Sequence, residues 1–506
     1  MRLSAAAIVS ALAGIANASS SSCCPKTRNF IYIVPDGYGV ASQVLARDYV
    51  ALKNGDGTVN RPNSPQIGAD RLVIGSVRTQ SSDNLITDSA ASGTAFSCGV
   101  KTYNGAIAVD DDGEPVASVL EAAYLEGYKT GLVVTSRITH ATPACYASHV
   151  LHRDSENEIA GHEIGYSHPL GSVVDILMGG GRKHFLPPSE DGSRDDDVNL
   201  VEWAKEKGYT YVSDKRELIS ALDSGESVPL PFLGLFASDH LSYELDRDDS
   251  EQPSLLEMTK IALASLREAS SGNDKGFFVM IEASRIDHAA HGNDAAGHVH
   301  DTVMYNEVLA YIMEYIDSHP DTQLLSAADH ECGGLTLRNN YNPVVLQRSR
   351  GTTEALGSLF TSYDGNDKAA YLKDELLPAY GLSDISDDDV QMLMSVAEEK
   401  GTSAMGIAAG NLLATEAGLH WSTQDHSAAD VLLHGYANRH DLARMRGLVG
   451  GNNDNTDLPR YIERILGLNL QNATEALRAH GSDWIARRDE LNLIKRANSL
   501  HVHGHN

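Results

Sequence analysis

Hydrophobic residues in this chain gather in short unbroken runs, with stretches of helical spacing between them. Asn29-Phe-Ile-Tyr-Ile-Val34, Gly131-Leu-Val-Val-Thr135, Val173-Val-Asp-Ile-Leu-Met178, Gly276-Phe-Phe-Val-Met-Ile281, Thr322-Gln-Leu-Leu325 and Asp430-Val-Leu-Leu433 are of this kind, as is the run from Pro231 to Phe236. Apolar runs bounded by turn residues predict strands buried on both faces, the pattern of a parallel sheet. Helical spacing predicts helices over 116–126, from Thr142 to about His152, and from about Val299 to Asp317. Thr142 and Pro143 fit the cap and first position of the second of these. Gly179-Gly180-Gly181 lacks P-loop spacing and predicts a turn. The alternation predicts an α/β fold: a doubly wound, largely parallel central sheet with helices on both faces.

From about Tyr341 to His420 the pattern changes. Helical periods at Lys368–Leu377 and Asp388–Lys400 occur without a buried strand run, which predicts an inserted, mostly helical cap region over 341–420. Ahead of the first strand, Arg2 precedes an apolar run ending in Ala16-Asn17-Ala18, a cleavable signal peptide over residues 1–18. Residues 19–506 then form one catalytic domain carrying the insertion. The apolar run is short for a membrane span, and the polar end His501-Val-His-Gly-His-Asn506 lacks a lipid-anchor tail. The reading is a secreted protein, with a vacuole or other organelle lumen as the alternative destination.

Charge narrows the partners. With 69 acidic and 40 basic residues the formal net charge is −29, which argues against nucleic acid or an anionic membrane as the main partner. An anionic substrate would therefore need cations concentrated locally. The 5 cysteines, Cys23, Cys24, Cys98, Cys145 and Cys332, are odd in number and show no C-x-x-C spacing, so disulfides are permitted but do not define the fold. Asn472-Ala473-Thr474 is a glycosylation sequon.

Candidate chemistry centres on Leu85-Ile-Thr-Asp-Ser-Ala-Ala-Ser-Gly-Thr-Ala-Phe96. It predicts a sharp turn into a helix with Ser89 near the N-terminus, where free N–H groups favour an anion. Alone, the stretch is equally a cap followed by a tightly packed helix. Ligands of open α/β sheets bind beyond the carboxyl ends of the strands. Those ends offer Asp36, His140 with Thr142, Glu282, Asp287 with His291, and Asp329 with His330, while His426 lies just before a strand. Carboxylates mixed with imidazoles suit Zn²⁺, and the oxygen-rich positions also suit Mg²⁺. Asp287 and His291, four apart, share a face if helical.

In order along the chain, Val34-Pro-Asp-Gly-Tyr-Gly39, Thr87-Asp-Ser-Ala-Ala-Ser-Gly-Thr-Ala95, Cys98-Gly-Val-Lys101, Thr139-His-Ala-Thr-Pro143, Leu177-Met-Gly-Gly-Gly-Arg-Lys183, Ile281-Glu-Ala-Ser-Arg-Ile-Asp-His-Ala-Ala-His291, Ala328-Asp-His330 and Gln424-Asp-His-Ser-Ala-Ala-Asp-Val431 resemble the alkaline phosphatase family. The resemblance runs from about Asn29 to about Tyr436. It implies a phosphate monoesterase that works through a phosphoserine on Ser89. It also implies one zinc at Asp287, His291 and His426 and a second at Asp36, Asp329 and His330 with Ser89. A third site, usually Mg²⁺, would use Asp36, Thr142 and Glu282. Arg153 matches the phosphate-clamping arginine. His140 and His288 stand where some members have Asp and Lys, which leaves the third metal open and gives His288 a substrate-side role. Small phosphate monoesters as substrates and a homodimer are likewise implied.

Two other classes are weighed against this. A phosphodiesterase or sulfatase could share the scaffold, but no C/S-x-P-x-R sulfatase stretch lies at Ser89. A binding protein without turnover would not need a reactive residue at every one of these positions.

Overall fold

The computed structural model describes residues 26–223, 226–481, 484, 485 and 491, so the signal segment, Cys23 and Cys24 lie outside the described residues. Its centre is a 10-stranded sheet. In spatial order the strands are Gly451–Asp454, Val73–Arg78, Val431–Tyr436, Thr322–Ala327, Asn29–Val34, Phe277–Glu282, Lys129–Arg137, Ile176–Gly180, Phe232–Leu235 and Thr210–Val212. Val431–Tyr436 runs antiparallel to both neighbours and every other pairing is parallel. The central strands Asn29–Val34, Phe277–Glu282 and Thr322–Ala327 are buried along their whole length, which is why each reads as a continuous apolar run. Helices cover the sheet, and its core extends from Phe30 and Tyr32 through Val133, Met178, Phe278 and Leu324 to Leu309 and Ile462.

The seven strand runs all lie within or beside observed strands; three strands carry no such run. Val73–Arg78 and Gly451–Asp454 form one edge, and Thr210–Val212 the other. The sequences V-I-G-S-V-R and G-N-N-D have no apolar continuity because much of this edge faces solvent. Their backbones also approach closely: a Cβ on Gly75 would lie 2.2 Å from the Gly451 carbonyl oxygen.

Several helix boundaries differ from expectation: the helix expected over 116–126 is Val119–Leu125, and the one expected to run to about His152 ends at Ala147. The helix after the Lys129–Arg137 strand is Ala141–Ala147, capped by His140, so Thr142 and Pro143 sit inside the first turn rather than at its boundary. A proline is tolerated there because first-turn N–H groups have no intrahelical acceptor. The long helix is Ala295–Ser318, begun one turn early by Asp294, which accepts from the Ala296 and Gly297 N–H groups. Of the glycine run, Gly179 and Gly180 end a strand, and only Gly181 turns, at φ +86°.

Between Leu335–Leu337 and Leu419–Trp421, which pair antiparallel, the chain leaves and returns. The intervening elements are all helical, including Thr353–Ser362, Asp387–Lys400 and Thr402–Glu416. They share a second apolar core, with Leu356, Leu377, Leu393 and Leu413 packed towards Leu45 and Tyr49 of the helix Val40–Lys53. Cys98, Cys145 and Cys332 are buried free thiols. Among the described residues no helix is long and apolar enough to cross a membrane.

Candidate active site

Ser89 is the first residue of the helix Ser89–Cys98, and the residue before it does the capping. Asp88 Oδ1 accepts from the Ala91 N–H at 2.9 Å, and its Oδ2 accepts from the Gly105 N–H at 3.0 Å and from Arg153 Nη1 at 3.1 Å. One carboxylate therefore ties the serine's helix to the arginine. Burial alone would raise Asp88, yet Arg153 and these N–H groups hold it below the usual carboxylate range. The small residues after Ser89 let this helix press on Ala141–Ala147, where the Cys145 thiol donates to the Ala90 carbonyl oxygen at 3.2 Å. Thr142 is carried in by that contact.

The sheet brings the other candidates to the same end. Asp36 follows Asn29–Val34, Glu282 closes its neighbour Phe277–Glu282, and Asp329 with His330 follows Thr322–Ala327 on the opposite side. Ser89 Oγ lies 3.1 Å from His330 Nε2, which is 3.2 Å from Asp329 Oδ2 and 3.7 Å from Asp36 Oδ1. Asp287 and His291 do share one face of the short helix Arg285–His291, with His291 Nε2 3.2 Å from Asp287 Oδ2. His426 enters from a two-residue strand paired with Glu331–Cys332, placing its Nε2 3.2 Å from His291 Nε2 and 3.6 Å from Asp287 Oδ1. Gly37 makes this approach possible: its φ is +73°, and a Cβ there would lie 2.7 Å from the Asp287 Cα.

The hydrogen bonds show what these groups are oriented for. His426 Nδ1 donates to the Thr87 carbonyl at 2.9 Å, and His291 Nδ1 donates to the Gln424 carbonyl. With both Nδ1 atoms so engaged, the Nε2 atoms of the two rings face each other and Asp287, an arrangement that fits a shared cation. Nearby, both carboxylate oxygens of Asp36, Asp329 Oδ2, Glu282 Oε1, Thr142 Oγ1 and His140 Nδ1 are buried without a hydrogen-bond partner. Leaving so many acceptors unpaired is costly unless a cation occupies the space. Glu282 Oε2, by contrast, is fixed by Ser284 Oγ at 2.6 Å and Ser136 Oγ at 3.1 Å. The donor set fits metal ions.

Charge tells the same story. Burial, with Asp329, Asp287 and Glu282 close by, pushes Asp36 well above the usual carboxylate range. Burial likewise raises Glu282 to about 7 and Asp329 above its ordinary value. Asp287, although buried, is held low by His291, His426 and His330. His291 is raised to about 9 by Asp287 despite its own burial, whereas burial lowers His330 to about 4 and keeps His426 well below the imidazole range.

Every candidate from the sequence lies in this region. Ser89, Arg153, His140, Asp287, His288, His291 and His426 line one cleft of about 1390 Å³, and Asp36, Thr142, Glu282, Asp329 and His330 are buried beneath it. Arg153 Nη2 donates to His140 Nε2 at 3.2 Å, and the His140 and His288 rings are 5.4 Å apart. Other residues at the site were not singled out from sequence. Asp88 could have been found as the cap before Ser89. His240, whose ring is 4.4 Å from His288, lies in the loop after a strand, where the strand-end rule points. The Cys332 sulfur and ligand atoms of Asp287, His291 and His426 all lie within 4.8 Å of one another. Arg285 meets His288 three residues on along the same helix, but nothing in the local pattern marked it as part of the site.

Comparison with known proteins agrees with this geometry. The family model described as alkaline phosphatase matches residues 27–468. The repressible alkaline phosphatase of Saccharomyces cerevisiae is 40% identical over 491 residues, covering 91% of this chain and 85% of its own. The alkaline phosphatase of Schizosaccharomyces pombe is 36% identical over 465 residues, covering 90% and 84%. Among solved structures, the Thermus thermophilus alkaline phosphatase superposes with a TM-score of 0.74 at 27% identity, over 90% of this chain and 96% of that one. The chain belongs to the alkaline phosphatase family and is a phosphomonoesterase.

Proposed function

We propose that the chain hydrolyses phosphate monoesters through a covalent phosphoserine at Ser89. The observation that carries this is the set of buried, unpartnered oxygen and nitrogen atoms converging around Ser89, a donor set that metal cations would satisfy. Asp287, His291 and His426 would hold one zinc ion, and Asp36, Asp329 and His330 with Ser89 a second. Asp36, Thr142 and Glu282, with His140 beside them, would hold a third ion, Mg²⁺. When bound, these ions supply Lewis-acid stabilisation of the attacking and leaving oxygens.

The chain's own residues do the rest. Asp88 fixes the Ser89 helix and Arg153 together, so nucleophile and phosphate clamp keep one geometry. Arg153 grips two non-bridging phosphoryl oxygens as a planar fork. The helix N-terminus adds partial positive charge where the phosphoryl group sits. His330 Nε2, 3.1 Å from Ser89 Oγ, sets an imidazole ligand beside the nucleophile. The Ser89 Oγ–P bond forms and the P–O bond to the alcohol breaks, Ser89 losing its proton and the alcohol gaining one. A water oxygen then bonds to phosphorus, the Oγ–P bond breaks, and phosphate leaves with the serine restored. His288 lines the substrate side of the cleft.

The sequence supports export by residues 1–18 to the exterior or an organelle lumen and a glycan on the exposed Asn472, and the family resemblance implies a homodimer. The test compares p-nitrophenyl phosphate with its bis-ester and with the sulfate, with and without chelator. Preference for the monoester and loss of turnover on chelation are expected. A preferred diester or sulfate, or activity that survives chelation, refutes the reading. Ser89→Ala should abolish covalent phosphate labelling.

A further inference from the structure

The cleft continues past the phosphate end to a wall supplied by the 341–420 segment. That wall presents Ser358, Thr361 and Ser362 from Thr353–Ser362 and Thr402 and Ser403 from Thr402–Glu416, with Ile407 its one aliphatic lining residue. The arginines lining the cleft are Arg137, Arg153 and Arg285. Arg137 is already held by Glu156 at 2.7 Å and Asp239 at 2.8 Å. Arg285 belongs to the core but is covered by the inserted segment: its Nη2 donates to both Glu354 oxygens at 3.0 and 2.9 Å. Its Nη1 donates to His288 Nδ1 at 3.0 Å, and its guanidinium carbon stacks 3.7 Å over the Tyr243 ring. With Glu354 in place the Arg285 side chain is only 4% exposed, while Glu354 itself is 62% exposed. The cation beyond the clamp is thus masked, and the surface around it is hydroxyl-rich.

We propose that the Arg285–Glu354 pair sets the specificity of the alcohol arm, which takes neutral, polyhydroxylated alcohols and rejects alcohols carrying a second anion. This rests on the phosphomonoesterase reading of the same cleft. A sugar or polyol exchanges hydroxyl hydrogen bonds with water for those of the wall at little loss. A second phosphate would meet Glu354 and Asp425, with no unpaired arginine to receive it. Removing the Glu354 charge exposes Arg285 as a receptor for that anion.

The experiment measures kcat/KM of the metal-loaded enzyme for a glycerol phosphate, a hexose monophosphate and a hexose bisphosphate, each divided by that for p-nitrophenyl phosphate. The wild type should favour the two neutral alcohols. Glu354→Gln should raise the bisphosphate ratio about tenfold, and Arg285→Met added to it should cancel the gain. Replacing Ser358 and Ser403 by Leu should lower the hexose monophosphate ratio and leave the bisphosphate ratio behind it. If the wild type already takes the bisphosphate as well as glycerol phosphate, or the Glu354→Gln ratios do not move, the inference fails while the monoesterase reading stands. If p-nitrophenyl phosphate is not hydrolysed at all, the reading fails and the inference with it.

Discussion

Asp287, His291 and His426 form one compact cluster of imidazole and carboxylate, and Glu121, His149 and His168 form another elsewhere in the same domain. By residue type, burial and spacing the two look alike. Their hydrogen bonds separate them. Glu121 Oε1 accepts from His149 Nε2 at 2.8 Å and from His168 Nε2 at 2.9 Å, while its Oε2 accepts from the Ser118 N–H at 2.8 Å. His149 Nδ1 donates to the Ala108 carbonyl at 2.8 Å, and His168 Nδ1 accepts from the Leu170 N–H at 3.1 Å. Donors and acceptors alternate, which requires one shared proton between His149 and Glu121 and leaves no lone pair for a metal. In the active-site cluster both histidines spend Nδ1 on carbonyls, and their Nε2 atoms converge on Asp287. One cluster closes on itself as a buried ion pair; the other is left open to a cation. The lesson is that ligand chemistry is read from the far side of each imidazole ring, not from the count of ligands.

Chelation is the sharpest way to break this contrast. It should reduce p-nitrophenyl phosphate turnover by about 10³-fold or more, restored by Zn²⁺ with Mg²⁺, while tryptophan fluorescence from Trp484, packed 5.4 Å from the His149 ring, stays unchanged. Next in size, His149→Ala strips the partner from a fully buried Glu121 and should cost about 3–5 kcal/mol in urea unfolding. Metal content by elemental analysis should not change; if metal is lost instead, the two clusters are not separate.

A pH dependence follows from the same pair. Burial opposes a charge on His149, but Glu121 prevails and holds its pKa above the ordinary imidazole value of 6.5. A raised folded-state pKa gives stability that is complete below the unfolded value and lost as pH rises through the folded one. Unfolding midpoints should therefore fall on the alkaline side in the wild type, and His149→Gln should flatten that slope. The smallest effect belongs to Ser118→Ala. Ser118 Oγ accepts from the Glu121 N–H at 3.1 Å and caps the helix Val119–Leu125, so its loss should cost about 1 kcal/mol, with the alkaline slope retained.

The sequence was legible where local pattern and final environment coincide. Strands buried on both faces are continuously apolar whatever their neighbours, so the central strands could be read directly. Strands near the sheet margin such as Val73–Arg78 are partly solvent-facing and owe their place to pairing, which no local run records. Asp36, Asp329 and His330 could be nominated because the end of a buried parallel strand is where an α/β sheet binds ligands. Thr142 lies beside the other candidates but is not the cap, because cap preference cannot tell which of several first-turn residues the chain will leave extended.

By itself, then, the amino-acid order determined the alternation of strand and helix, the acids and histidines at the strand ends, and a serine at the start of a helix of small residues. These follow from periodicity, side-chain size and backbone preference, which act over a few residues. Only the tertiary structure decided that ends as distant as Asp36 and His426 face one point, that Glu121 is closed by protons while Asp287 is not, and that Glu354 of an inserted helix covers Arg285 of the core. Those outcomes depend on strand order, ring orientation and which oxygen a donor reaches. They are relations between segments tens to hundreds of residues apart, and they exist only once the fold has assembled.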